Sequence, residues 1–181
     1  SNNAVALDTN VGPPKHLQWK TGPMFTRDHD SLASVSALTS SNGRIFYIID
    51  EGRKDSVLLP PDWNLVARDA FNGVELWRKN IDHWFNHMWP FKSGPLVVTR
   101  RLVVKGDRLF AALEMGGGVS VLDANTGALL HELPGTEGAE EIIIEGERLF
   151  VAQRQWLAEA DKYNVRTGVT SGGTAAKMTR N

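Results

Sequence analysis

The chain has 181 residues, 41% of them hydrophobic, enough for one sizeable core, and its 20 basic and 21 acidic residues leave a formal charge of −1. That balance argues against nucleic acid or an anionic membrane surface as partner. The absence of cysteine removes disulfides, thiolate metal sites and cysteine nucleophiles together, and no apolar run approaches the roughly 20 residues that span a bilayer.

Residues 1–16 read as an N-terminal extension. They begin SNNAVALDTN, without Met and without a basic segment followed by a hydrophobic one, which suggests a processed or truncated chain. LQWK at 17–20 reads as the last strand of a preceding unit. The first full unit then offers SVSALTS, RIFYIID, NLVARDA and VELWRKN; the second RRLVVKG, RLFAALE, VSVLDAN and ALLHELP; the third EIIIEG, RLFVAQR and KYNVRT. Enrichment in β-branched and aromatic residues, with Gly or Asn at the turns, predicts meanders of four strands, a to d. RQWLAEADKY is the one stretch that competes as a helical turn, and GVTSGGTAAKMTRN predicts a frayed tail.

Two markers recur. A short turn, a basic residue and an apolar pair give SNGRIF, KGDRLF and EGERLF, so Arg44, Arg108 and Arg148 are equivalent. A strand, a polar turn and a glycine follow, aligning Asp69, Asp123 and Asn164, and Gly73, Gly127 and Gly168. Asp or Asn bonds to amides further along the turn, and Gly takes the φ > 0 position that closes it. Trp77, four residues after Gly73, is placed to pack between neighbouring sheets.

From the second unit to the third the spacing is 41 by glycines and 40 by arginines, the length of one four-stranded unit; from the first to the second it is 54 and 64. The excess falls in the b–c connection of the first unit and in its d–a connection to the second. Connections of a meander alternate between its two ends, so both insertions share one face and the short a–b and c–d turns share the other. Insertions gathered on one face of a repeat protein commonly mark its binding face.

ARDAFNGVELW and VLDANTGALLH resemble the A-x-D-x-x-T-G-x-x-x-W tryptophan-docking motif of pyrroloquinoline-quinone-type (PQQ-type) propeller repeats. Asn72 replaces the usual Thr, Val121 the Ala and His131 the Trp. LQWKTGP, SALTSSNGRIFYIIDEG and WPFKSGPL look like a bacterial group of PQQ-like repeat proteins of mostly unassigned activity, and the resemblance spans 17–168. The expected fold is therefore all-β, a partial or open β-propeller of about three to four antiparallel four-stranded blades. The blades lie near 31–81, 97–134 and 139–168, with an irregular tail at 169–181. The family includes quinoprotein dehydrogenases and non-catalytic scaffolds, so the resemblance speaks for fold before function. It implies PQQ with Ca²⁺ as the cofactor to test and a periplasmic or exported location. The vicinal disulfide often found beside that cofactor is impossible without cysteine.

Candidate ligand-face residues are Arg27, His29, Asp50, Glu51, His83 and His87. Arg27 and His29, with Asp28 and Asp30, precede a strand a and fall on the insertion face; a solvated turn is their plainer reading. Asp50 and Glu51 open the long b–c insertion, where paired carboxylates can serve acid–base chemistry or hold a cation, or simply cap an exposed tip. His83 and His87 share the i, i+4 spacing of helical metal ligands, but no acid stands at the H-E-x-x-H position, and Trp84, Phe85, Met88 and Trp89 suggest a loop held by aromatic burial; no metal site is assigned. The Gly116–Gly118 run lacks a P-loop Lys, and Ser31, Ser34 and Ser36 lack a nucleophile elbow, so no catalytic residue is assigned. The expectation is a binding or scaffold segment presenting loops 50–64 and 82–96 to a partner or ligand; a fragment of a PQQ-dependent oxidoreductase, alcohol or sugar dehydrogenase-like, is the alternative. Expected partners are another protein, the remaining blades of a longer chain, or another copy through uncovered blade edges.

Overall fold

The computed structural model describes residues 16–21, 35–52, 62–81, 84, 100–114 and 116–153, with the backbone of 163–164 and 169–170. Among them there is no helix, and hence none long and apolar enough to cross a membrane. The first blade is an antiparallel sheet of β1 (Val35–Ser41), β2 (Arg44–Asp50), β3 (Trp63–Asp69) and β4 (Glu75–Ile81), paired in that order. The second repeats it with β5 (Leu102–Lys105), β6 (Arg108–Ala111), β7 (Val119–Asp123) and β8 (Leu129–Leu133). The third begins with the hairpin β9 (Ala139–Glu145) and β10 (Arg148–Gln153), and a further short pair joins β11 (Tyr163–Asn164) to β12 (Val169–Thr170).

Turn chemistry accounts for the repeat. At the first a–b turn Asn42 and Gly43 both have positive φ, 50° and 72°, the pair a type I′ hairpin needs, whereas later blades place Gly106 and Gly146 at the first central position. At the c–d turns Asp69 Oδ1 accepts from the amides of Phe71 and Asn72 at 2.8 and 2.9 Å, and Asp123 Oδ1 from those of Asn125 and Thr126 at 2.7 and 3.1 Å. Asn72 departs from the repeat motif without changing the turn: its Oδ1 accepts from Val74 N at 2.8 Å, as Thr126 Oγ1 accepts from Ala128 N at 3.2 Å.

The inner strands β1, β5 and β9 lie side by side, and a parallel bridge joins Arg100 to Glu141. Alternation along the strands sends one face of each sheet to each neighbour. Phe46, Ile48, Trp63 and Leu65 of the first blade bury against Leu102, Leu109, Ala111 and Leu122 of the second. The opposite face of the second blade, with Ala112 and Val119, buries against Ala139 and Ile142 of the third. Being covered on both sides, β5–β7 read as nearly continuous apolar runs.

Candidate functional site: the loop-bearing end of the first blade

One construction occurs twice at the outer rim. Trp77, the third residue of β4, donates its indole N–H to Ala124 O at 3.0 Å and lies on the second c–d turn, where a Cβ at Gly127 would meet the ring at 2.7 Å. Trp19 does the same one blade earlier: its N–H donates to Ala70 O at 2.9 Å, and a Cβ at Gly73 would meet its ring at 2.7 Å. Glycine is required at both positions twice over, since φ is 75° at Gly73 and 74° at Gly127. Residues 17–20 thus hold the place of a strand d docked on the first blade.

The opposite end carries the insertions. Asp50, buried at the end of β2, accepts from the amides of Gly52 and Asp62 at 2.9 Å each, and Glu51 N donates to Asp62 O at 2.8 Å. One carboxylate therefore ties both stems of the b–c insertion. From this neck a polar ladder crosses the face of β3 and β4 turned away from the second blade. Asn64 donates to Glu51 Oε2 at 3.1 Å, Asn80 to Asp62 Oδ1 at 2.9 Å, and Arg78 to Glu51 Oε2 and to both oxygens of Glu75. Arg68 completes it, reaching Glu75 at 2.8 Å, Tyr47 Oη at 2.9 Å and Gly73 O at 2.8 Å. Hydrogen bonding and charge from Arg78, then the charge of Arg68, hold the Glu75 carboxyl below its ordinary range against the opposing effect of burial, and Glu75 in turn raises Arg78.

The d–a insertion is pinned at the same end. Trp84 is fully buried, and the Arg101 guanidinium stacks 4.1 Å from its ring centre while donating to Trp84 O at 2.6 Å and Glu114 O at 3.3 Å. Burial lowers the Arg101 pKa to about 10, partly offset by the charge of Glu140, so the cation persists at neutral pH. Arg101 thereby joins the d–a insertion to the b–c connection of the second blade.

Of the sequence candidates, Asp50 and Glu51 are brought together here, in structural roles. Arg27, His29, His83 and His87 lie outside the described residues. Asp62, Asn64, Asn80 and Arg101 were not singled out from sequence. Asn64 carried a usable signal, a polar residue between Trp63 and Leu65, and the register sets Asn80 opposite it. Asp50 and Glu51 accept from amides and side chains, and among the described residues no three His, Cys, Asp or Glu groups gather as metal ligands.

These features define an open segment of an all-β propeller with tryptophan-docked blades. No family model and no curated protein matches the chain. Among solved structures it is similar to a europium-containing methanol dehydrogenase, at 20% identity and TM-score 0.36, over 64% of this chain and 18% of that one. It is also similar to BamB from Moraxella catarrhalis, at 15% identity and TM-score 0.41, over 65% of this chain and 30% of that one. Both are β-propellers, and the chain spans less than a third of the length of either.

Proposed function

We propose that this chain is a binding or scaffold segment that presents loops 50–64 and 82–96 to a protein partner. The observation that carries the reading is the neck of the first loop. A buried carboxylate closing both stems makes a stiff pedestal, and a stiff pedestal lowers the ordering cost of presenting a long loop. Arg101 and Trp84 supply the second pedestal at the same end. The carboxylates between them are engaged in the ladder, which suits support better than proton transfer or cation binding.

The test is equilibrium dialysis of the purified chain against PQQ and Ca²⁺, followed by the absorbance of the quinone. No retention is expected; stoichiometric retention overturns the scaffold reading in favour of a fragment of a PQQ-dependent oxidoreductase. In parallel, replacing residues 53–61 by a short Gly-Ser linker leaves Asp50, Gly52 and Asp62 in place. The melting temperature should then hold while partner capture is lost.

A further inference from the structure

The sequence contains two Asn-Gly steps, Asn42-Gly43 in the first a–b turn and Asn72-Gly73 in the first c–d turn. Glycine has no Cβ, so its amide nitrogen can approach the carboxamide carbon of the preceding asparagine with little steric hindrance. Both asparagines are exposed. What separates the two steps is the way each turn holds the glycine nitrogen. At the c–d turn Gly73 N donates to Asp69 O at 3.0 Å and Asn72 N to Asp69 Oδ1 at 2.9 Å, Asn72 Oδ1 accepts from Val74 N at 2.8 Å, and the Trp19 ring lies on Gly73. Nitrogen and carboxamide are both tied. At the a–b turn Gly43 N has no protein partner among the described residues, and the Asn42 carboxamide is held by a long bond, 3.4 Å from Nδ2 to Asp107 Oδ1. The turn is anchored instead through Gly43 O, which accepts from Ala70 N at 2.8 Å, and the Phe71 ring beside Gly43 is itself 67% exposed.

We propose that Asn42 is a site of spontaneous deamidation, and that Asn72, with the same local sequence chemistry, is protected by its turn. Gly43 N gives up its proton to solvent and bonds to Asn42 Cγ. The Cγ–Nδ2 bond breaks, Nδ2 leaves as ammonia with that proton restored from solvent, and a five-membered succinimide closes. Water then opens the ring. Cleavage between Cγ and the Gly43 nitrogen leaves aspartate; cleavage between that nitrogen and the main-chain carbonyl carbon leaves isoaspartate, whose backbone runs through Cβ and Cγ. Either product alters the short-turn end of the first junction. The amide that donated to Asp107 becomes a carboxylate beside it, and Arg44, which bonds to Asp107 at 2.5 Å and to Asn125, then faces two carboxylates. Isoaspartate also lengthens the backbone of a two-residue turn whose φ values of 50° and 72° suit the strand twist, so β1 and β2 lose the turn that sets their register.

The test is to incubate the folded whole chain in mildly alkaline buffer, well below its melting temperature, and to digest it with trypsin beside an unincubated sample. Cleavage at arginine puts the two steps in separate peptides, 28–44 and 69–78. Mass spectrometry reads the exchange of amide for acid in each, and chromatography separates the isoaspartyl form. Peptide 28–44 is expected to convert at least about tenfold faster than 69–78, since Asn72 must first break further hydrogen bonds at its nucleophile and carboxamide. In urea, with both turns unfolded, the two rates should converge. Equal rates in the folded chain, or faster conversion at Asn72, overturn the proposal. So does a rate ratio that survives unfolding, the mark of flanking sequence rather than of turn geometry.

Discussion

At the junction of the first and second blades Trp77 crosses the rim and locks onto Ala124 and Gly127; at the next junction the same position of strand d holds His131, which is exposed. The cores behind them differ in the same sense. The first contains Phe46, Trp63, Trp84 and four leucines, the second is built on Ala112, Val119, Ala139 and Ile142 with half-buried residues around it. The backbone plan is repeated almost unchanged, down to the c–d turn bonds, so what separates the junctions is side-chain volume at a few positions. The stack is therefore stiffest where its insertions are rooted and weaker toward its C-terminal end.

The largest effect on that contrast should come from Gly127→Val. Its Cβ would stand 2.7 Å from the Trp77 ring at a φ of 74°, so the residue is strained and the ring displaced together. A loss of about 3–4 kcal/mol is expected from urea unfolding. Gly106→Ala is the control, with a φ of 58° and nothing within 4 Å of the added Cβ; it should cost only about 1 kcal/mol. Equal losses would mean that backbone strain, not docking, holds the first junction.

Exchanging the rim residues comes next. Trp77→His makes the first junction resemble the second and should cost about 2–3 kcal/mol, below the full value for a buried Trp because the ring is only half-buried. His131→Trp should raise stability by up to about 1 kcal/mol. A neutral result would show that the third blade offers no seat for the ring.

Much of the fold was legible in sequence because hairpin and docking chemistry is local. Gly73, Gly127 and the aspartates four residues before them announce their turns, and Trp77 announces its partner glycine on the next blade. The roles at the loop end were less legible. Asp50 reads equally well as a ligand or a clamp, and only the position of Asp62, twelve residues away, decides it. Arg101 sits in RRLVVKG, a run that predicts a strand and gives no sign that this arginine is buried. Its burial depends on Trp84, brought over it by tertiary packing alone. The exposure of Leu38 could not be read from its own strand, since its residue type matches that of buried Leu102.

The smallest effect separates ion pairing from docking. Asp107 is lowered by hydrogen bonds from Arg44 and Asn42, Glu147 by Lys105, and Glu75 by Arg78, so carboxylates of this kind occur at both junctions and in the ladder. A carboxyl whose folded pKa is depressed contributes stability above its unfolded pKa, about 4 for Glu, and loses it as pH falls through the folded value. Asp107 and Glu147 are fully exposed and screened. Glu75, one-third exposed and held by two arginines, is the better probe. Glu75→Gln should melt lower than wild type at pH 7 by about 2–4 °C at most. That difference should close only as pH falls through the depressed folded value, where the wild-type carboxyl also takes a proton. A gap that stays constant with pH would assign the effect to packing of the ladder rather than to its charge.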